Sequence, residues 1–477
     1  MKHFKPCLAL AAAGLVAGCA QTPAPPPETE AAAPSAPGAT FTVPVVYETL
    51  DNGLKVVLSP DDTAPVATVA VYYHIGFRNE PKDRTGFAHL FEHMMFQGSE
   101  NLGKMEFIKL VQGLGGSLNG STRFDFTNYF QTVPAHRVET VLWAEADRMR
   151  SLQVTQDNLT NQQGVVKNEV KVNVLNQPYG GFPWLDMPQY ANENWYNAHN
   201  FYGDLEDLDA ATLGEVRSFF DTYYAPNNAV VVVTGDIDTG ATLAMVNKYF
   251  GNIASPAARP AQPDISEPRQ EVEKRFTRVD PLAPRPGLAW AYHVPPRGTP
   301  EHYAMVLLAS ILADGEDSLL HQKLVKEKGY AGGVGAAINM LGNPFNYEGP
   351  MLWVGYLIHD PSHSADTIMA DVDAVIDGLR STPVDAETLD RALVKFRSGF
   401  YDTLASGFGR ADLLASYALF DDNPAGINNI EAGIRAVTPE LILQTAREYL
   451  RPGNRTVLVL EAGAGQPAAT MSQQPGQ

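Results

Sequence analysis

Two stretches of this sequence repeat one another. ATLGEVRSFFDTYYAPNNAVVVVTGD and VTPELILQTAREYLRPGNRTVLVLEAG align Thr212 with Thr438, Pro226 with Pro452 and Asn228 with Asn454, each pair 226 residues apart. A constant offset over three anchors marks a duplication, so the 477-residue chain is constrained to form two like bodies. Each copy reads as a Thr-capped helix, a Pro-Asn turn and a Val/Leu-rich run suited to a buried strand. Pro-rich Ser255 to Arg269 (SPAARPAQPDISEPR) breaks the chain between them. The expected limits are therefore one domain over 41–254, a linker over 255–272, a homologous domain over 273–463 and a polar tail over 464–477. Gly53 to Leu58 and Val66 to Ile75 read as strands, while Thr85 to Gln97, Lys104 to Leu114 and Val138 to Leu152 carry helical patterns. Strands and helices interleave without a phosphate-binding glycine loop, which predicts an α+β fold.

A hydrophobic content of 44% leaves each half a real core. Both cysteines, Cys7 and Cys19, fall in the first twenty residues, so the body holds neither a disulfide framework nor a thiolate metal site. The formal charge is −19, and becomes −21 if Lys2 and Lys5 are removed with a leader. Such a surface repels phosphate and argues against a nucleic-acid partner. No stretch after Ala20 approaches the ~20 apolar residues that cross a bilayer.

Lys2, His3 and Lys5 precede an apolar run from Cys7 to Gly18, the charged head and short hydrophobic stretch of a secretory signal over 1–18. Leu15-Val16-Ala17-Gly18-Cys19 resembles the lipobox of bacterial lipoproteins, which implies lipidation of Cys19 and a membrane anchor through the lipid alone. The other reading is an ordinary signal peptide that contains a cysteine. Ala20 resembles the residue found in lipoproteins sorted to a Gram-negative outer membrane. The rest of 19–40 is rich in Pro, Ala and Glu and reads as a tether.

The chemistry gathers in His89-Leu90-Phe91-Glu92-His93. At about 100° per residue, His93 lies about 40° round from His89 and Glu92 about 60° to the other side. Leu90, Phe91, Met94 and Met95 take the opposite arc, so the apolar side packs inward and the polar side faces a cavity. Two imidazoles one turn apart can reach a single Zn²⁺, and a neighbouring carboxylate that stays off the metal can serve as general base. The plainer reading is a helix with two exposed histidines.

H-x-x-E-H resembles the inverted-motif zinc peptidases, the pitrilysin family. The likeness runs through GFRNEPKDRTGFAHLFEHMMFQGS, GGSLNGSTRFDFTNYF and YYAPNNAVVVVTGD, and so covers nearly the whole chain after the tether. It implies a glutamate as third ligand, and Glu169 in VVKNEVKVNVLNQPYG stands 76 residues after His93. One Zn²⁺ per chain would then be held by His89, His93 and Glu169, with Glu92 as base. Also implied are two homologous domains, each a mixed sheet with helices packed on it. The first would be catalytic and the second, which has no H-x-x-E-H, a wall of a chamber where peptides and unfolded segments are cut. Gln162 stands where many members have a glutamate that supports the site, and its amide is expected to hydrogen-bond a ligand or the base. Asn119 to Phe124 resembles the strand that pairs with substrate, with Asn119 holding a carbonyl; otherwise it is an edge strand with Asn119 in a turn.

In the family, an Arg and a Tyr of the second domain grip the substrate backbone. Here LVKEKGYAGGV puts Lys326 and Gly332 at those positions, with Tyr330 two residues early. This implies a second subunit of the same fold that carries the pair, in a heterodimer; the alternative is a homodimer with a different grip. The functional expectation is a lipid-anchored zinc endopeptidase of the cell envelope, in the periplasm of a Gram-negative bacterium. The competing readings are a non-catalytic scaffold and a zinc-storage lipoprotein. His74 and His293 are expected to be half-buried core residues, and His359 and His363 to be solvated. The aromatic cluster Trp184 to Tyr202 reads either as core packing or as chamber lining.

Overall fold

The computed structural model describes residues 41–463. The expected strands and helices form with shifted ends: the strand expected over Gly53 to Leu58 runs from Lys55 to Pro60, and the helical patterns become Phe87–Met94, Glu106–Gly113 and Val138–Ser151. The first sheet holds β1 (Val46–Thr49), β2 (Lys55–Pro60), β3 (Val66–Tyr73), β4 (Ser117–Thr122), β5 (Thr127–Pro134) and β6 (Ala229–Gly235), in the order β1-β2-β6-β3-β5-β4. The second holds β7 (Lys274–Asp280), β8 (Gly287–His293), β9 (Gly335–Ile338), β10 (Leu352–Ile358) and β11 (Arg455–Ala462), in the order β7-β11-β8-β10-β9. In each sheet one pair is parallel, β2 with β6 and β7 with β11, and the other pairs are antiparallel. Apart from β1 the two orders are the same, which is the duplication seen as topology.

The repeated residues perform the same tasks twice. Thr212 and Thr438 each cap a helix by accepting from the backbone N–H three residues on, Glu215 at 3.3 Å and Leu441 at 3.2 Å. Asn228 Nδ2 donates to Tyr223 O (2.9 Å) and His74 O (3.2 Å); Asn454 Nδ2 donates to Tyr449 O (2.7 Å) and His293 O (2.9 Å). Each asparagine ties the end of its helix to the strand beside the one it opens. The backbone groups it satisfies would otherwise be buried without partners.

Each half also lends a helix to the other. Gly407–Asp421 lies across β2, β3 and β6, and Asp186–Ala191 lies across β7, β8 and β11. The first of these helices is apolar nearly all round, with Ala411, Leu413, Leu414, Ala415, Ala418 and Leu419 buried, so it must be covered on more than one side. Phe130 of β5 stacks on Phe408, Tyr72 Oη donates to Asp412 Oδ1 (2.9 Å) and Lys55 Nζ donates to Ala418 O (2.6 Å). Segment 255–273 has no helix or strand, yet it is fastened: Asn194 Nδ2 and Asn197 Nδ2 donate to Asp264 O and Ile265 O, and Glu267 accepts from the Glu193 and Asn194 amides.

Among the histidines, His74 bonds Glu348 at 2.9 Å and His293 is half-buried, as expected. His359 is a correction: it is 3% exposed, because an isolated bridge to Ala331 draws its loop onto the body. His302, in helix Pro300–Ala313, is fully buried. Its Nε2 lies 3.0 Å from Pro344 O, which can only accept, and its Nδ1 lies 3.3 Å from Gly298 N, which can only donate. Only the neutral Nε2–H tautomer satisfies both, and burial pushes its pKa down to about 4. The unfolded chain, titrating near 6.5, binds the extra proton between these values, so the contribution is present above pH 6.5 and is lost as pH falls. Between pH 7.5 and 5 the wild type should lose about 2 kcal/mol more stability than His302→Gln, whose amide can make both bonds. Urea unfolding at the two pH values measures this, and equal losses would refute it.

Candidate metal centre

The helix Phe87–Met94 begins without a side-chain cap of its own. Gly86 enters at φ +83°, and a Cβ there would meet Tyr202 O at 2.8 Å, so this position needs glycine. The cap comes from Glu80, which is 0% exposed: its Oε2 accepts from Gly86 N (2.8 Å) and its Oε1 from Ala88 N (2.7 Å). A buried carboxylate at the positive end of the helix satisfies amides that would otherwise be orphaned. Thr85 fastens the same turn to the next segment, donating to Asp207 and accepting from Asp204 N. Leu90, Phe91, Met94 and Met95 are at most 1% exposed, so the apolar arc points inward as its spacing predicts.

Helix Gln156–Val170 packs against this one. It buries Leu159, Gln162, Val166 and Val170, and so presents Glu169 near its end toward the two histidines. His89 Nε2 and His93 Nε2 lie 3.3 Å apart. Glu169 Oε2 is 3.1 Å from His93 Nε2, and its Oε1 is 3.7 Å from His89 Nε2. The hydrogen bonds of His89 and then His93 hold the Glu169 carboxyl far below the ordinary carboxylate range, so it is ionised. His89 Nδ1 is buried with no partner among the described residues.

Three donor atoms thus converge within 4.8 Å. Bonds of about 2.0–2.1 Å to a tetrahedral zinc set its donor atoms about 3.3 Å apart, which is the spacing of these nitrogens. Neutral imidazole and carboxylate donors suit zinc, and three of them leave a fourth position for a reactant. The residues fit the metal.

Glu92 does not join the cluster. Its Oε2 accepts from Thr122 Oγ1 at 2.7 Å, which ties it to the last residue of β4. Thr122 and Glu80 are not legible in the sequence: a threonine alternating along a strand and an acid seven residues before a helix carry no local mark of their tasks. Asn119 is exposed on β4, the edge of the first sheet, and its Oδ1 accepts only from Gly120 N (3.0 Å). Gln162 differs from expectation: its Nε2 donates to Asn161 Oδ1 (2.8 Å) instead of to a ligand or the base, because its helix face turns it into the packing layer. Tyr330 does not stand in for the missing grip. It is 5% exposed, and its hydroxyl donates to Asp371 Oδ2 (2.6 Å) within its own half. Lys326 pairs with Glu316 at 3.0 Å, and Gly332 has open space where a side chain would go. Of the aromatic cluster, Phe201 is core, whereas Trp184 and Tyr202 remain half-buried, with Tyr202 against His89. Cys19 lies outside the described residues.

The sequence profile "Insulinase (Peptidase family M16)" matches residues 55–194, and "Peptidase M16 inactive domain" matches residues 210–395. The zinc protease PqqE of Helicobacter pylori is 26% identical over 418 residues, covering 87% of this chain and 92% of that protein. An uncharacterized zinc protease of Mycobacterium tuberculosis is 24% identical over 411 residues, covering 84% and 90%. The crystal structure of a protease from Helicobacter pylori superposes with a TM-score of 0.82 at 25% identity, over 88% of this chain and all of that one. The first half of the periplasmic protease PqqL from Escherichia coli shares the fold, with a TM-score of 0.70 at 17% identity over 89% and 93% of the two chains. The two profiles follow one another along a chain whose two sheets are copies of one topology, and the protein belongs to peptidase family M16, the pitrilysin family, among relatives named zinc proteases.

Proposed function

We propose that this chain is a zinc-dependent endopeptidase that cleaves extended peptides or unfolded segments in the bacterial cell envelope, with a catalytic domain over 41–254 and a homologous non-catalytic domain over 273–463. The observation that carries the reading is the convergence of His89, His93 and Glu169 beside a carboxylate, Glu92, that is held off the cluster by Thr122. His89 Nε2, His93 Nε2 and the Glu169 carboxylate would hold one zinc ion, which supplies Lewis acidity at the scissile carbonyl and acidifies a water.

The remaining work falls to side chains and backbone. Glu92 takes the proton of the attacking water and returns it to the leaving amine as general base and then acid. Because Thr122 occupies Glu92 Oε2, the other oxygen is left to accept that proton. The outer edge of β4 offers unpaired backbone N–H and C=O groups, to which an extended peptide can add as a strand, with Asn119 beside it. The periplasmic relative supports an envelope location, and Cys19 is the residue proposed to carry the lipid.

One observation favours a second reading, a non-catalytic scaffold or assembly subunit: Lys326, Tyr330 and Gly332 provide no Arg and Tyr facing the site. We take the same gap to mean that a second subunit of this fold supplies the substrate grip, in a heterodimer or a homodimer. A lysine cannot reproduce the planar two-point grip of a guanidinium.

Glu92→Gln should keep one zinc per chain while kcat on a mixed peptide library falls by roughly 10²–10⁴, whereas His89→Ala or Glu169→Ala should lose both metal and hydrolysis. Zinc analysis alongside the peptide assay checks this; parental turnover by Glu92→Gln would refute the mechanism. The chain purified alone should bind zinc yet cleave slowly, and co-expression with a paralogue that lacks H-x-x-E-H should raise the rate and give a heterodimer on sizing. Zinc binding without hydrolysis in either form would make the scaffold the correct reading. Cys19→Ser should move the protein from the membrane fraction to the soluble one, and retention in membranes would exclude the lipid as its anchor.

A further inference from the structure

Peptide hydrolysis places negative charge on the scissile carbonyl oxygen, and a site gains most from a donor already aimed at where that charge appears. A zinc ion held by His89, His93 and Glu169 would meet part of this demand, and Glu92 is committed to proton transfer. The 324–334 segment of the second half presents no such donor: Lys326 pairs with Glu316, Tyr330 is turned to Asp371, and Gly332 has no side chain.

One hydroxyl beside the centre remains without a task. The Tyr202 ring packs edge-on against His89, with centroids 5.1 Å apart, and is held on another side by Trp184 at 5.5 Å. Its backbone is set by Asn200 Oδ1, which accepts from Tyr202 N at 3.1 Å, and by the close approach of Tyr202 O to Gly86 at the head of the ligand helix. The residue is half-buried, and among the described residues its hydroxyl makes no hydrogen bond. Arg123 follows the Thr122 that holds Glu92, has no ion-pair partner among the described residues, and adds a positive charge to the surroundings of the same hydroxyl.

We propose that Tyr202 is a catalytic residue of this site, its hydroxyl donating a hydrogen bond to the scissile carbonyl oxygen as that carbon becomes tetrahedral. The inference rests on the endopeptidase reading and deepens it: the first half then supplies its own oxyanion donor, and a second subunit is left with holding the substrate. No proton is transferred by Tyr202, because Glu92 carries the proton from water to amine. The ring alone explains the contact with His89. The hydroxyl is not enclosed by that packing and stays open to solvent.

Tyr202→Phe removes only that hydroxyl and keeps the ring against His89, so zinc content and the thermal midpoint should equal those of the wild type. Its kcat should fall by roughly 10²–10³ with KM within about twofold. The deciding probe is a phosphinic peptide, an uncleavable tetrahedral mimic, titrated by calorimetry into the zinc-loaded full chain. Tyr202→Phe should weaken it in proportion to the loss in kcat/KM. An intact peptide should bind Glu92→Gln and Glu92→Gln/Tyr202→Phe equally. If the phosphinic peptide binds Tyr202→Phe as tightly as the wild type, or if the intact peptide loses as much affinity as the mimic, the assignment is overturned. Wild-type turnover and its loss in Glu92→Gln report on the peptidase reading, whereas the phosphinic comparison needs no turnover and reports on Tyr202 alone.

Discussion

Neither sheet of this protein can bury both of its faces with the helices of its own repeat, and the exchange of helices between the halves follows from that constraint. Helix Gly407–Asp421 closes the first sheet and Asp186–Ala191 closes the second. Each large apolar side chain removed from water at such a surface contributes about 2 kcal/mol. The polar contacts laid over it, such as Tyr72 with Asp412 and Lys55 with Ala418, give the exchange a single register. One apolar core therefore runs from Val57, Ala70 and Tyr72 of the first sheet to Trp290 and Tyr292 of the second. The helix that carries His89 and His93 lies on the opposite face of the first sheet, where Phe87, Leu90, Phe91 and Met94 pack with Val69, Val71 and Tyr73 in a second core.

The centre is assembled from four separate segments, each fixed by a different force. Packing of the apolar arc of Phe87–Met94 sets the direction of His89 and His93. A buried carboxylate, Glu80, sets where their helix starts. Helix-to-helix burial brings in Glu169, and one hydrogen bond from the edge of the sheet orients Glu92. The two carboxylates have opposite surroundings, one among imidazole nitrogens and the other against a hydroxyl. Under the proposed mechanism, that difference of environment would separate a ligand from a base.

The second half contains no H-x-x-E-H. Its repeat has kept the caps, the Pro-Asn turn and the strand order, which packing demands. The segment around Lys326 and Tyr330 has instead been drawn into local ion pairs and a buried hydrogen bond. Duplication preserves what holds the fold and leaves the chemistry free to diverge, because catalytic groups contribute little to stability.

The duplication, the fold class and the common face of His89, Glu92 and His93 were legible in the sequence alone, because an offset of 226 residues and a spacing of four on a helix are properties of the chain itself. Glu169 was legible only through likeness to other sequences, since nothing in its own helix distinguishes it from a surface acid. The tertiary structure alone decided the rest. Glu80 and Thr122 act on residues 6 to 30 positions away, and Tyr202 meets His89 across more than a hundred residues. Gln162 faces the packing layer, and His359 is buried by one bridge. Periodicity reports which way a side chain faces on its own element. Which side chain it meets depends on how the elements pack, and that is settled only when the whole core closes.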